Sequence, residues 1–222
     1  MLRKDYLLRQ MEMLSALVAR LLHMRQKGDE SGAVHEIDQT YRDLFGLEPR
    51  LISLLPTAFI LGRIRSGEYL DVDQGFTLAI ILREDAANYL IQGDNNEHYQ
   101  RLIRSLKVFL SIALEHNLAP EQLALYDLDG VLAQLADYDL PMDLLYDLFH
   151  YYEDEGEYAQ ADNELHELLS SSDHNTTVVD EGISYYEWLL TLDDKELEAG
   201  NLPREEVEES LTELRSLNTH LT

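Results

Sequence analysis

The chain has 222 residues, a formal net charge of -26 and no cysteine. That length is enough for a self-supporting core without staples, and the absent thiols exclude disulfides, thiolate zinc sites, iron-sulfur clusters and cysteine nucleophiles. Cytoplasm is the expected location.

Apolar residues recur at helical spacing almost everywhere, with no sustained alternation of strand type. The pattern predicts about ten helices. The first runs from near Arg3 to Lys27, with Tyr6, Leu7, Met11, Leu14, Leu17, Val18, Leu21 and Met24 as its apolar stripe and Gly28 as its stop. Charged residues Arg3, Lys4, Asp5, Arg9 and Glu12 interrupt this segment, so export is not expected. The same helix carries Arg3, Lys4, Arg9, Arg20, Arg25 and Lys27 against Asp5 and Glu12, and packing against acidic helices is preferred to membrane adsorption.

A second helix is predicted near Ser31 to Phe45, closed by Gly46, with Pro49 opening the next. Further helices are expected over 49–65, 72–91, 95–116, 120–136, 141–155, 158–171, 177–192 and 203–218. Pro120, Pro141 and Pro203 mark helix starts next to acidic first turns, where both features suit the helix dipole. The stretch from Ser170 to Thr177 reads as a loop.

Aligning the chain on Gly28, Gly93 and Gly156 exposes a repeat. Leu17, Leu82 and Leu145 stand eleven residues before each glycine, Leu21, Ala86 and Phe149 seven before, and Met24, Tyr89 and Tyr152 four before. After it come Ala33, His98 and Ala161, then Ile37, Leu102 and Leu165, then Tyr41, Leu106 and Leu169. Such a register predicts antiparallel hairpins, with glycine taking a positive φ at the turn and a small residue at the close crossing. The glycines lie 65 and 63 residues apart, about twice the 34-residue tetratricopeptide (TPR) period. The third copy, with Gly156, Tyr158 and Ala161 flanked by Tyr152 and Leu165, resembles a TPR. The expected fold is therefore all-α, a TPR-like α-α superhelix of stacked antiparallel hairpins over 1–222, with 117–120 as the place for any subdivision.

The runs Asp5-Tyr6-Leu7-Leu8-Arg9-Gln10, Tyr138-Asp139-Leu140-Pro141 and Leu197-Glu198-Ala199-Gly200-Asn201-Leu202-Pro203-Arg204-Glu205-Glu206-Val207 resemble an uncharacterised bacterial family best known from Firmicutes. The resemblance implies a TPR-like helical protein with no assigned activity and no catalytic residue to carry over.

Candidate chemistry is sparse. Asp127-Leu128-Asp129-Gly130-Val131-Leu132 resembles the Asp-x-Asp-Gly motif of haloacid-dehalogenase-like phosphatases, in which the first Asp is the nucleophile, the second the acid/base, and Mg²⁺ is bound. That chemistry needs a strand at the edge of a parallel sheet, whereas Pro120-Glu121-Gln122 opens a helix into the site. His166-Glu167 lacks the second histidine of a zinc helix, and no phosphate loop or nucleophile elbow is present. No cofactor is expected.

Residues 1–111 hold 14 Lys/Arg against 15 Asp/Glu, whereas 112–222 hold 3 against 28. This acidity disfavours nucleic acid and anionic lipid and favours a basic protein or peptide partner. Tyr151, Tyr185, Tyr186 and Trp188 form an aromatic group suited either to a partner contact or to packing between C-terminal hairpins. A non-enzymatic interaction or scaffold protein is the expected function, and monomer and homodimer both remain open.

Overall fold

The computed structural model describes residues 2–221, with side chains from 8 to 219. The side chains of Arg3, Lys4, Asp5, Tyr6 and Leu7 lie outside the described residues. The fold is all-α, and the chain divides into two compact units, 1–139 and 140–222. The 117–120 segment falls inside the first unit, between its sixth and seventh helices.

In the first unit, α1 (Leu2–Gln26) and α2 (Glu30–Phe45) form one hairpin, and α5 (Val72–Ile91) and α6 (Asn95–Glu115) form another. The inner faces of the two hairpins meet where α2 and α1 pack on α5. In the second unit, α9 (Met142–Glu155) and α10 (Tyr158–Ser171) make a hairpin, and α10 packs on α11 (Thr176–Leu189), which in turn pairs with α13 (Arg204–Leu221).

The three aligned glycines occupy the same turn. Gly28, Gly93 and Gly156 have φ of 73°, 77° and 76°. Each donates its N–H to the carbonyl three residues back, and the next residue donates to the carbonyl five back, as in Asp29 to Met24, Asp94 to Tyr89 and Glu157 to Tyr152 at 2.9, 3.0 and 2.9 Å. These paired bonds satisfy helix carbonyls that would otherwise be orphaned, and they require the left-handed conformation glycine adopts without strain. Ala33, His98 and Ala161 are all buried, and the His98 imidazole Nδ1 lies 2.9 Å from the Ala86 carbonyl of the preceding helix. The stripe of Leu14, Leu17 and Leu21 is buried as its spacing predicts, with Met24 half-buried at its end.

Between the long hairpins the chain departs from its periodicity. The predicted 49–65 helix splits into α3 (Pro49–Leu54) and α4 (Thr57–Arg63), because Pro56 forces Leu55 to φ -85°, ψ 139°, outside the helical region. A two-residue antiparallel ribbon follows, β1 (Arg65–Ser66) with β2 (Tyr69–Leu70), turning through Gly67 at φ 71°. The predicted 120–136 helix likewise splits into α7 (Pro120–Tyr126) and α8 (Leu128–Leu135) around Asp127 at φ 55°. In the second unit a short α12 (Asp194–Ala199) precedes α13.

Helix α5 is covered along most of its length and buries Glu84, Asp85 and Asn88. Buried charges must be paired, and each finds a cation or donor. Arg101 Nε donates to Asp85 Oδ2 at 2.7 Å, Tyr41 OH donates to the same oxygen at 3.2 Å, and Arg101 Nη2 reaches Ser53 Oγ at 2.9 Å. Arg25 donates to Glu84 Oε2 at 2.7 Å and Asn88 Oδ1 at 2.8 Å, and Arg83 takes Glu84 Oε1 at 2.8 Å. Burial pushes the Asp85 carboxyl up, with Arg101 opposing. Burial alone would lower the Arg101 pKa, but Asp85 together with Tyr41 and Tyr89 outweighs it and the net shift is upward. The basic helix α1 thus pairs through Arg20 with Glu36 and through Arg25 with Glu84. Both acids belong to the near-neutral half of the chain, not to the strongly acidic half.

The last family-like run is explained by packing. At Gly200 an added Cβ would lie 2.3 Å from the Tyr158 ring and 2.7 Å from the Gly156 carbonyl oxygen. Ala159 N–H donates to the Gly200 carbonyl at 2.9 Å. Asn201, at φ 58°, repeats the left-handed reversal, with Leu202 N–H on the Leu197 carbonyl. Arg204 donates to the Leu190 and Leu192 carbonyls at 3.2 and 2.6 Å, tying α13 to the end of α11.

Two outcomes follow for stability. Arg101→Met should destabilise the first unit by about 3–5 kcal/mol by leaving Asp85 buried without its cation, measured by urea unfolding. Gly200→Ala should cost about 1–3 kcal/mol through overpacking against immovable backbone, whereas Gly28→Ala, with open space around it, should cost about 1–2 kcal/mol of backbone strain alone.

Candidate functional site

The aromatic group singled out from sequence is mostly interior. Tyr151, Tyr185 and Tyr186 are buried, while Trp188 is 39% exposed. The Tyr185 ring meets Phe149 edge-on at 5.1 Å, and its hydroxyl donates to the Tyr158 carbonyl at 3.1 Å. Tyr186 OH donates to Asp162 Oδ1 at 2.5 Å. Burial raises both phenols well above the ordinary tyrosine range, so they stay neutral donors. Three of the four residues therefore hold the second unit together, and the surface they were expected to share reduces to Trp188. That ring stands edge-on to Tyr158 at 5.7 Å, and Tyr158 feels the negative charges of Glu196 and Glu153.

The surface around this ring belongs to a unit with 22 Asp/Glu and 3 Lys/Arg. Of those cations, Arg204 is spent on Asp194 and backbone carbonyls and Arg215 on Glu187. The unit's own Lys and Arg are thus few against its carboxylates. On the α9 side, His150 lies between Glu153 Oε2 at 3.0 Å and Glu181 Oε1 at 3.2 Å, and Tyr146 donates to Glu181. The hydrogen bond with Glu153 raises the His150 pKa against the opposing effect of burial. Tyr146 is pushed up to about 12 by burial and by Glu181.

Asp127 lies between two short helices and Asp129 in the first turn of the second, not at the end of a strand, the setting the phosphatase motif calls for. Asp127 is the left-handed residue joining α7 to α8, its Oδ1 accepts from Gly130 N–H at 3.3 Å, and both carboxylates are exposed in a helix-turn-helix context. No strand presents them, since the one described ribbon is at 65–70. The Asp-x-Asp-Gly spacing here is an N-cap signal, because a short acid followed three residues later by a free N–H closes a helix start. Among the described residues no group of three or more His, Asp or Glu side chains is placed to hold a metal ion, and no helix is long and apolar enough to cross a membrane.

The first unit contains a cleft of about 360 Å³ that periodicity did not reveal. Arg9, Gln10 and Met13 of α1, Leu44 and Phe45 at the end of α2, and Asp73, Gln74 and Thr77 at the start of α5 line it. Gln10 is 7% exposed, and its Nε2 donates to the Asp73 carbonyl at 2.8 Å and Thr77 Oγ1 at 3.2 Å. Those bonds fix the amide orientation and leave Oε1 buried without a hydrogen-bond partner. A buried acceptor left so costs about 1–3 kcal/mol. A sequence signal for this position exists. Gln10 stands in the register of Leu14, Leu17 and Leu21, so it is a polar residue where the stripe calls for an apolar one.

With fold and surfaces described, comparison with known proteins identifies a family and nothing more specific. The family model for DUF6483, a family of unknown function, matches residues 1–219. The chain belongs to that family. No curated protein and no solved structure matches it. The three runs that resembled an uncharacterised family all lie within the matched span. The structure assigns packing roles to much of the third, from Leu197 and Gly200 to Val207.

One titration tests the electrostatics of the second unit. Glu164 is half-buried and its pKa is raised to about 7, first by burial and then by Glu167. The folded state therefore binds a proton that the unfolded state releases near 4.5. The sign is fixed: the group costs nothing below the unfolded pKa, and it destabilises increasingly as pH rises through the folded value. Glu164→Gln should raise stability at pH 8 by about 1–2 kcal/mol after allowance for solvent screening, and change little at pH 4. Thermal melts of both proteins across this range check it.

Proposed function

We propose that this chain is a non-enzymatic, TPR-like interaction scaffold, and that its second unit binds a basic protein segment. The observation that carries the reading is the exposed Trp188 ring within a unit of 22 acidic and 3 basic residues. Hairpins packed side by side present continuous helix faces, a geometry that repeat proteins use for peptides. An exposed aromatic ring on an acidic unit suits Lys or Arg, whose stem packs on the ring while its charge meets the acids. The same field repels nucleic-acid phosphates and anionic lipid. Charge steers such an encounter, and the aromatic contact holds it.

The test places a photoreactive residue at position 188 in the native host, identifies the crosslinked protein, and measures its binding to the purified full-length chain. A partner whose contact segment is basic should bind less tightly as salt rises and lose about tenfold or more in affinity with Trp188→Ala. Binding that is indifferent to both salt and Trp188→Ala, or an absence of crosslinks above the unmodified control, rejects this reading.

A further inference from the structure

We propose that His150 is a proton-operated clasp between α9 and α11, which holds the two helices together while its imidazole carries both protons and loosens them when the ring becomes neutral. Tyr146, His150 and Glu153 stand at intervals of four and three residues in α9 and so share one helix face. Opposite that face α11 presents Glu181. The ring nitrogen Nδ1 lies 3.0 Å from Glu153 Oε2, and Nε2 lies 3.2 Å from Glu181 Oε1. An ionised carboxylate only accepts, so both nitrogens must carry a proton for both contacts to be attractive. A neutral imidazole has one donor. Whichever tautomer it takes, its bare nitrogen turns a lone pair toward a carboxylate oxygen, and one of the two contacts becomes repulsive.

The surroundings hold this arrangement in place. The second oxygen of Glu181 accepts from Tyr146 OH, which anchors the carboxylate, and the Tyr146 and His150 rings meet at 72° with centroids 4.8 Å apart. The ionisable groups around the ring are Tyr146, Glu153 and Asp154 of α9 and Glu181 of α11, and no charged group of α10 pairs with it among the described residues. The hydrogen bond with Glu153 and the negative charges of Glu153, Glu181 and Asp154 raise the His150 pKa above 6.5, against burial. A pKa raised on folding gives stabilisation that is complete below the unfolded value of 6.5 and is lost as pH rises through the folded value. The α9–α11 contact therefore tightens on acidification, whether or not Trp188 meets a partner.

The experiment is an NMR pH titration of the imidazole nitrogens in the full-length, isotope-labelled chain, with His150 assigned as the signal missing from His150→Gln. All measurements use a Glu164→Gln background, because Glu164 titrates in the same unit and destabilises in the same direction as pH rises. The His150 pKa should exceed that of histidine in the urea-unfolded chain. Glu181→Gln, which can still accept from Tyr146 but has no charge, should lower it by about 0.5–1, with thermal melting used to confirm folding. Amide hydrogen exchange reads the clasp itself. After correction for the intrinsic rate, protection of the α11 amides around Glu181 should fall by about three- to tenfold between pH 6 and pH 8, the change that a pKa difference of this size permits, and His150→Gln should remove that dependence. A His150 pKa no higher than in the unfolded chain, a pKa unmoved by Glu181→Gln, or equal α11 protection at both pH values would each overturn the proposal.

Discussion

Every long helix pair in this protein depends on how a helix stops. The last carbonyls of a helix need donors, and a chain that must reverse within a few residues supplies them only by entering the left-handed region. Gly28, Gly93 and Gly156 do so with nearly identical φ and the same two hydrogen bonds. Because each turn sets the rotation of the return helix, Ala33, His98 and Ala161 arrive at the close crossing, and Ile37, Leu102 and Leu165 follow into the core. Asn201 and Asp173 make the same reversal without glycine, using residues whose short polar side chains tolerate positive φ. The turn thus sets which face of each return helix meets its partner.

The two units solve burial differently, and this explains the uneven charge. Helix α5 has partners on so many sides that its polar positions go inside, and the first unit uses Arg25, Arg83 and Arg101 to neutralise them. Part of the cationic charge of the first half is thus used inside the unit. The second unit buries aromatic rings instead, with phenols hydrogen-bonded to Asp162 and the Tyr158 carbonyl. Most of its carboxylates are exposed, with Asp162 and Glu164 half-buried. The second half therefore carries an excess of negative charge, whereas several basic residues of the first half are held in ion pairs.

Trp188 remains exposed at the edge of an aromatic cluster that is otherwise complete, and Gln10 is a polar residue in a stripe that is otherwise apolar. The Asp127/Asp129 pair, by contrast, is fully accounted for by the turn that joins α7 to α8.

The amino-acid sequence by itself determined the helical class, the three glycine turns and the buried register around them, because helical periodicity and positive-φ turns are local properties of the chain. It also carried the family membership. Pro56 and Asp127 broke segments whose apolar spacing ran on unbroken, a local effect that periodicity does not register. Tertiary structure decided the rest. Tyr185 and Tyr186 of α11 and Tyr151 of α9 went inside while Trp188 stayed out, a division that follows from how the helices of the unit pack. Arg25 found Glu84 across 59 residues, and Gln10 found Asp73 across 63. Contacts of that range follow from the packing of whole helices, and no local pattern encodes them.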